Sequence, residues 1–221
     1  MNPNRQNWNR QHQALTKALQ IGDTPTAQGI FYVHHAMLHT AGMSGLGVWS
    51  FEDEILNELS ETDFRYIPPG SEHSIAWNLW HIARIEDVTM NLLVAGTEQV
   101  YFSGAWFNRL GIDFQHSGNA VSAEEVSALS TSIDIKVLRE YRAAVGQRTR
   151  EIVVSLTEAQ YNQRVDAKRI QRVLDEGAVT EAALEIVDYW GKRTIAGLLL
   201  MPATRHNFVH LNECLRIKSK I

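Results

Sequence analysis

The sequence predicts an all-α protein, a four-helix bundle with long decorated loops, and three observations lead there. The 221 residues contain no alternating β-branched run bounded by turn pairs, so strands have no signature. Several segments instead repeat apolar residues at three- and four-residue spacing behind capping residues. An irregular stretch rich in glycine and aromatic residues, 97–121, separates these segments, and a crossover of that length is typical of bundles that do not run simply up and down.

The elements follow in order. Residues 1–22 read as a polar N-terminal lead to a single domain spanning 1–221. AQGIFYVHHAMLH reads as the first helix and is interrupted by GMSGLG, because glycine is costly inside a helix. Ser50, with Asp53 three residues on, suits the start of a new helix through FEDEILNEL. RYIPPGSEH must be a loop. Ser74 or Ser71 then caps a long helix, SIAWNLWHIARIEDVTMNLLVAG, which Gly96 closes. VSAEEVSALS is a short helix with Ser122 and Glu125 in capping-box spacing. IDIKVLREYRAAVGQRTREIVVSL is long and amphipathic, with Ile135, Leu138, Val145, Thr149 and Ile152 on one face. Short helical pieces occupy 157–180, and the chain closes with TIAGLLLMPATRHNFVHLNECLRIK, which Pro202 starts or bends.

Composition excludes several classes. A net charge of −4 carries no basic stripe and argues against a nucleic-acid partner. The longest apolar run, IAGLLLMPA, is too short to cross a bilayer, and the N-terminus lacks the apolar core of a signal peptide, so a cytoplasmic protein is expected. One cysteine, Cys214, rules out an internal disulfide and a four-thiolate metal site. Six tryptophans and nine histidines stand out, and histidine is the commonest metal ligand.

His206 and His210 lie one turn apart in HNFVH, on a stripe shared with Leu199, Ala203, Cys214 and Ile217. Spacing alone leaves open whether they hold a metal or decorate a surface. Asn207 replaces the glutamate of a zinc-protease HExxH helix. His35 and His39 form a second such pair whose role is open, and Cys214 is a further candidate donor. His81 sits mid-helix beside Trp77, Asn78, Arg84 and Ile85, as a core histidine or a ligand. Glu86, Asp87 and Glu213 read as surface charges, although Glu213 could orient the ring of His210.

The stretches SIAWNLWHIARIED, Ser74–Asp87, and HNFVHLNE, His206–Glu213, resemble the DinB-like superfamily, also called DinB/YfiT-like, over roughly residues 26–218. The resemblance implies a four-helix bundle running up-up-down-down, with the long crossover between helices 2 and 3. It implies His81, His206 and His210 as ligands of a divalent cation, with zinc or nickel foremost and iron also suited to imidazole. Three ligands leave a position open, as in catalytic sites. Relatives with known chemistry use low-molecular-weight thiols, so the expected function is a metal-dependent thiol S-transferase or isomerase, with a hydrolase as a further class. The alternative is a non-catalytic metal- or ligand-binding stress-response module. A small-molecule substrate and a homodimer are the expected partners. Helical spacing from His81 nominates Arg84 and Asn78 as catalytic polar groups near the open position, with Trp77 and Trp80 lining it.

Overall fold

A computed structural model describes residues 2–221. Among those residues every regular element is a helix, with no strand and a single antiparallel bridge between Arg164 and Thr194. The long elements are α1 (Pro3–Gln20), α2 (Thr24–Ala36), α3 (Ile75–Asp87), α4 (Ile135–Ser155) and α5 (Asn207–Lys218).

The N-terminal lead is itself a helix. Asn2 accepts the amide of Asn4 at 2.8 Å, and Pro3 occupies the first turn, where its missing N–H is harmless. Trp8, Leu15, Ala18 and Leu19 make a narrow apolar stripe that α1 buries against its neighbours. Trp8 stacks on Phe208 of α5 at 3.9 Å and on His34 of α2 at 4.1 Å between ring centroids.

α3 is central. All its residues from Ile75 to Asp87 are buried, and it packs against both α4 and α5. Ser74 caps it by accepting the Trp77 amide at 3.0 Å. It runs on as a π-helical stretch, Val88–Ala95, and ends at Gly96 in the left-handed conformation (φ 73°). Ile75 to Ala83 join one apolar cluster with Leu138, Tyr141 and Val145 of α4 and Phe208 and Leu211 of α5. Ile85 to Val94 join a second cluster with Ile152, Val153, Leu198 and Leu199.

Between the two clusters lies a polar waist. Glu86 and Asp87, expected at the surface, are fully buried there with Arg84, Glu52 and Arg142. Buried charges persist only when paired, and these are. Arg142 bonds Glu52 at 2.6 Å, Asn207 at 3.0 Å and the Leu38 carbonyl at 2.6 Å. Asp87 accepts the amides of Val100 and Tyr101 at 2.8 Å and the Tyr141 hydroxyl at 2.7 Å, tying the crossover to α3 and α4.

Pro202 shapes the approach to α5. Lacking an N–H, it cannot serve the helical ladder, and the chain widens into a π-helical turn over Met201–His206. The Thr204 hydroxyl shares its proton between the Leu199 and Leu200 carbonyls at 2.9 and 3.0 Å, and the Asn207 side-chain amide donates to the Pro202 carbonyl at 3.2 Å. Shorter helices decorate the loops, among them Phe51–Leu56, Val100–Ser103, Trp106–Arg109, Ala123–Ser132, Ala167–Asp175 and Leu184–Gly191. Among the described residues no helix is long and apolar enough to cross a membrane.

Candidate metal centre

α3 delivers His81 to the junction where the Met201–His206 turn enters α5, so that it meets His206 and His210. Ring centroids stand 5.0 Å (His81–His206), 4.9 Å (His81–His210) and 4.5 Å (His206–His210) apart. The rings are tilted from one another by 62°, 63° and 60°, a near-threefold arrangement around one point. One nitrogen from each ring lies within 4.8 Å of the other two. HNFVH is therefore no surface decoration.

The surroundings fix which nitrogens face inward. His81 Nδ1 lies 2.6 Å from the Ser117 carbonyl, and an imidazole nitrogen can meet a carbonyl there only by donating its proton. His210 Nδ1 lies 2.6 Å from Asn78 Oδ1. With each Nδ1–H held by an oxygen, each Nε2 keeps its lone pair for a metal. His206 Nδ1 is buried without a partner. Burial, reinforced by His210, lowers the pKa of His81 to about 3. Burial lowers His210 to about 4 against the pull of Glu213, and it holds His206 well below the ordinary histidine range. All three rings are neutral near pH 7, the ligating form.

Three neutral imidazoles thus fit a borderline divalent cation such as zinc, nickel or iron, and fill three of its coordination positions. His81 is buried, whereas His206 and His210 keep partial exposure, so the open side faces outward past α5.

The crossover supplies the carbonyl for His81. Gly118 sits at φ 84°, and a Cβ there would come within 2.5 Å of the Trp80 ring and 3.4 Å of His81 Nδ1. Glycine lets this loop pass flat over α3 and aim the Ser117 carbonyl. Nothing in the spacing of HSGNA identifies Ser117 as a partner of His81; the glycine before a compact turn was the available signal.

The nominated catalytic pair divides. Asn78 is at the triad, holding His210 while its own amide donates to the Ser74 carbonyl at 2.9 Å and reaches Glu213 at 3.4 Å. Arg84 is fully buried, and its guanidinium is committed to Gln99, the Gln115 carbonyl, Tyr141 and Asp87, none of them at the triad. Trp77 lines the site, stacked on His81 at 4.7 Å and on His73 at 3.8 Å, whereas Trp80 packs against Phe114 and His116.

Glu213 acts one step back. It lies 3.6 Å from His210 Nδ1 but 3.0 Å from His73. His73 is a member of the site that the sequence reading missed. Cys214 is buried, burial pushes its thiol pKa up, and it is not a member of the triad. His35 and His39 do not join the triad either; they meet Glu86.

The sequence profile of the DinB superfamily matches residues 49–214. The chain belongs to that superfamily. Its fold is similar to the crystal structure of the conserved protein of locus from Enterococcus faecalis, with a TM-score of 0.56 and 17% identity over 77% of this chain and 88% of that one. No curated protein matches the sequence.

Proposed function

We propose that this DinB-superfamily chain is a divalent-metal enzyme that activates a low-molecular-weight thiol for S-transfer or isomerisation. The carrying observation is the triad: three converging imidazoles, two of them locked by oxygen acceptors, with a fourth position left to substrate. A cation bound there would act as a Lewis acid that lowers the pKa of a thiol or water in the open position. Zinc or nickel is the first candidate.

The protein's own groups set the rest. Asn78 and the Ser117 carbonyl hold two rings in the required tautomer. A hollow of about 330 Å³ lined by Ser71, His73, Glu213, Arg216 and Lys220 adjoins the triad through His73 and Glu213. Glu72 also lines it, so its two cations, Arg216 and Lys220, are balanced by two carboxylates, and the hollow offers a small polar substrate groups of both signs. Trp77 gives the inner wall. The up-up-down-down order of a four-helix bundle, a homodimer and a cytoplasmic location belong to the same reading.

The test is metal content together with thiol alkylation. Replacing His81, His206 and His210 with alanine should remove one equivalent of metal and the metal-dependent rate at which an electrophile alkylates an added small thiol. Unchanged metal content in that variant would rule out the triad as the site. Metal that leaves both thiol and water unperturbed would favour the non-catalytic binding module.

A further inference from the structure

The second histidine pair makes a cluster of its own at the polar waist. His35 comes from the last turn of α2, His39 from the turn after it, and Glu86 from α3. His35 Nε2 lies 2.8 Å from Glu86 Oε1, His39 Nε2 lies 3.3 Å from Glu86 Oε2, and the two Nε2 atoms are 3.1 Å apart. Side-chain exposure of the three is 0%, 1% and 0%.

Protons match this triangle poorly. If both Nε2 atoms carry hydrogen and donate to the two oxygens of Glu86, the His39 contact is long at 3.3 Å, the two nitrogens crowd to 3.1 Å, and both Nδ1 lone pairs stay buried without a donor. If either is a bare lone pair, it faces a carboxylate oxygen or the other ring with nothing between for one of its contacts. An unmatched polar contact in a dry interior is costly. One cation at the centre satisfies all three edges. Ligands ~2.0–2.2 Å from a zinc-like ion stand roughly 2.9–3.5 Å apart in octahedral or tetrahedral geometry, and the observed edges sit in or next to that range.

The surroundings keep the donors in place. Gly146 of α4 leaves room for the His39 ring, since a Cβ there would fall 2.8 Å from His39 Nδ1 and 2.9 Å from Cε1. Ser50 Oγ donates to the His39 carbonyl at 2.7 Å. Asn207 donates to Glu86 Oε2 at 2.9 Å and leaves Oε1 toward His35.

We propose that His35, His39 and Glu86 form a second, enclosed site for a divalent first-row transition-metal ion, separate from the triad. Two imidazoles and a carboxylate suit zinc or ferrous iron rather than calcium or magnesium. Because the site is closed to solvent, the ion enters as the chain folds and exchanges slowly. Asn207, which follows His206 in the chain, donates to Glu86, so this ion braces the base of α5 and with it the triad.

The experiment uses cobalt(II) as the probe ion. Full-length protein is refolded with excess cobalt, desalted and assayed for cobalt per chain. About two ions are expected in the wild type. His206→Ala with His210→Ala should retain one, and His35→Gln with His39→Gln should retain the other. Cobalt anomalous scattering from wild-type crystals, which needs no variant, should place a peak between the two Nε2 atoms and Glu86. Absence of that peak overturns the proposal, as does a wild type that binds only one cobalt per chain and keeps it undiminished when His35 and His39 are replaced. Failure of the triad reading looks different: cobalt would then survive the His206 and His210 substitutions undiminished.

Discussion

The two histidine clusters start from the same four-residue spacing and end as opposites. In His206 and His210, the pair lies on a helix whose outer side meets solvent, and the third ring arrives from α3. In His35 and His39, the helix has ended, the pair is sealed under α4, and the third donor is a carboxylate. The triad is held by neutral oxygen acceptors around its rim; the enclosed cluster contains its own anion. The difference teaches that an HxxxH pair takes its character from what the rest of the fold brings to it. An open, neutral set suits exchange of substrate, and a closed, charged set suits permanence.

The largest expected effect breaks the closed cluster. In metal-stripped protein, Glu86→Leu leaves the Asn207 amide and two imidazoles unmatched in a dry interior, and should cost about 3–5 kcal/mol in urea unfolding. His206→Ala removes a partly exposed ring whose Nδ1 has no partner, and should cost less than about 1 kcal/mol. Equal costs for the two would erase the contrast between a sealed and an open cluster.

Acid probes both clusters together. Burial lowers His39 and His81 to about 3 and His34 to about 2, against 6.5 when exposed. These rings stay neutral in the folded chain while the unfolded chain takes up protons below pH 6.5. Their contribution is therefore complete above pH 6.5 and is lost as pH falls toward the folded values. Each ring contributes a slope of at most about 1.4 kcal/mol per pH unit. Metal-free protein should lose stability steeply between pH 6.5 and 4.5, and His39→Gln should flatten that slope by one ring. A urea midpoint that stays level from pH 7 to 5 would contradict the buried, neutral assignment.

Much of this was legible from the sequence because it rests on local rules. Ser50, Ser74 and the Ser122–Glu125 box cap the helices they were expected to cap, and Gly96 closes the helix that carries His81. What escaped depends on three dimensions. The apolar stripe of α1 is only Trp8, Leu15, Ala18 and Leu19 in an otherwise polar segment, so composition hid it. Glu86 and Asp87 carry the same charge signature as surface residues; Arg84, Tyr141 and the crossover amides make the burial of Asp87 tolerable, and His35, His39 and Asn207 do so for Glu86. Helical phase placed Asn78 and Arg84 equally near His81, but Asn78 turns toward α5 and Arg84 toward the crossover.

Two glycines then separate the clusters experimentally. Gly146→Ala drives a methyl into the His39 ring, and Gly118→Ala drives one into Trp80 at a left-handed position. Each should cost about 1–3 kcal/mol through overpacking. They should part on metal. Gly118→Ala displaces the Ser117 carbonyl from His81 and weakens the triad's metal directly, while Gly146→Ala reaches the triad only through Glu86 and Asn207 and lowers its affinity less in competition titrations. Equal losses of triad affinity would mean that the two clusters respond as one.

The finest contrast lies within the triad's rim. Asn78→Ala deletes the acceptor that lies 2.6 Å from His210 Nδ1 and should lower triad metal affinity by roughly 10–100-fold. Glu213→Gln acts one bond further out. Asn78 is also anchored by its donation to the Ser74 carbonyl at 2.9 Å, which is shorter than its 3.4 Å approach to Glu213, so Oδ1 stays on His210 when that carboxylate is neutralised. The expected loss for Glu213→Gln is below about 10-fold, seen in the same competition titration. A larger loss than that of Asn78→Ala would show that the carboxylate's charge, rather than the amide's geometry, holds His210 in its ligating orientation.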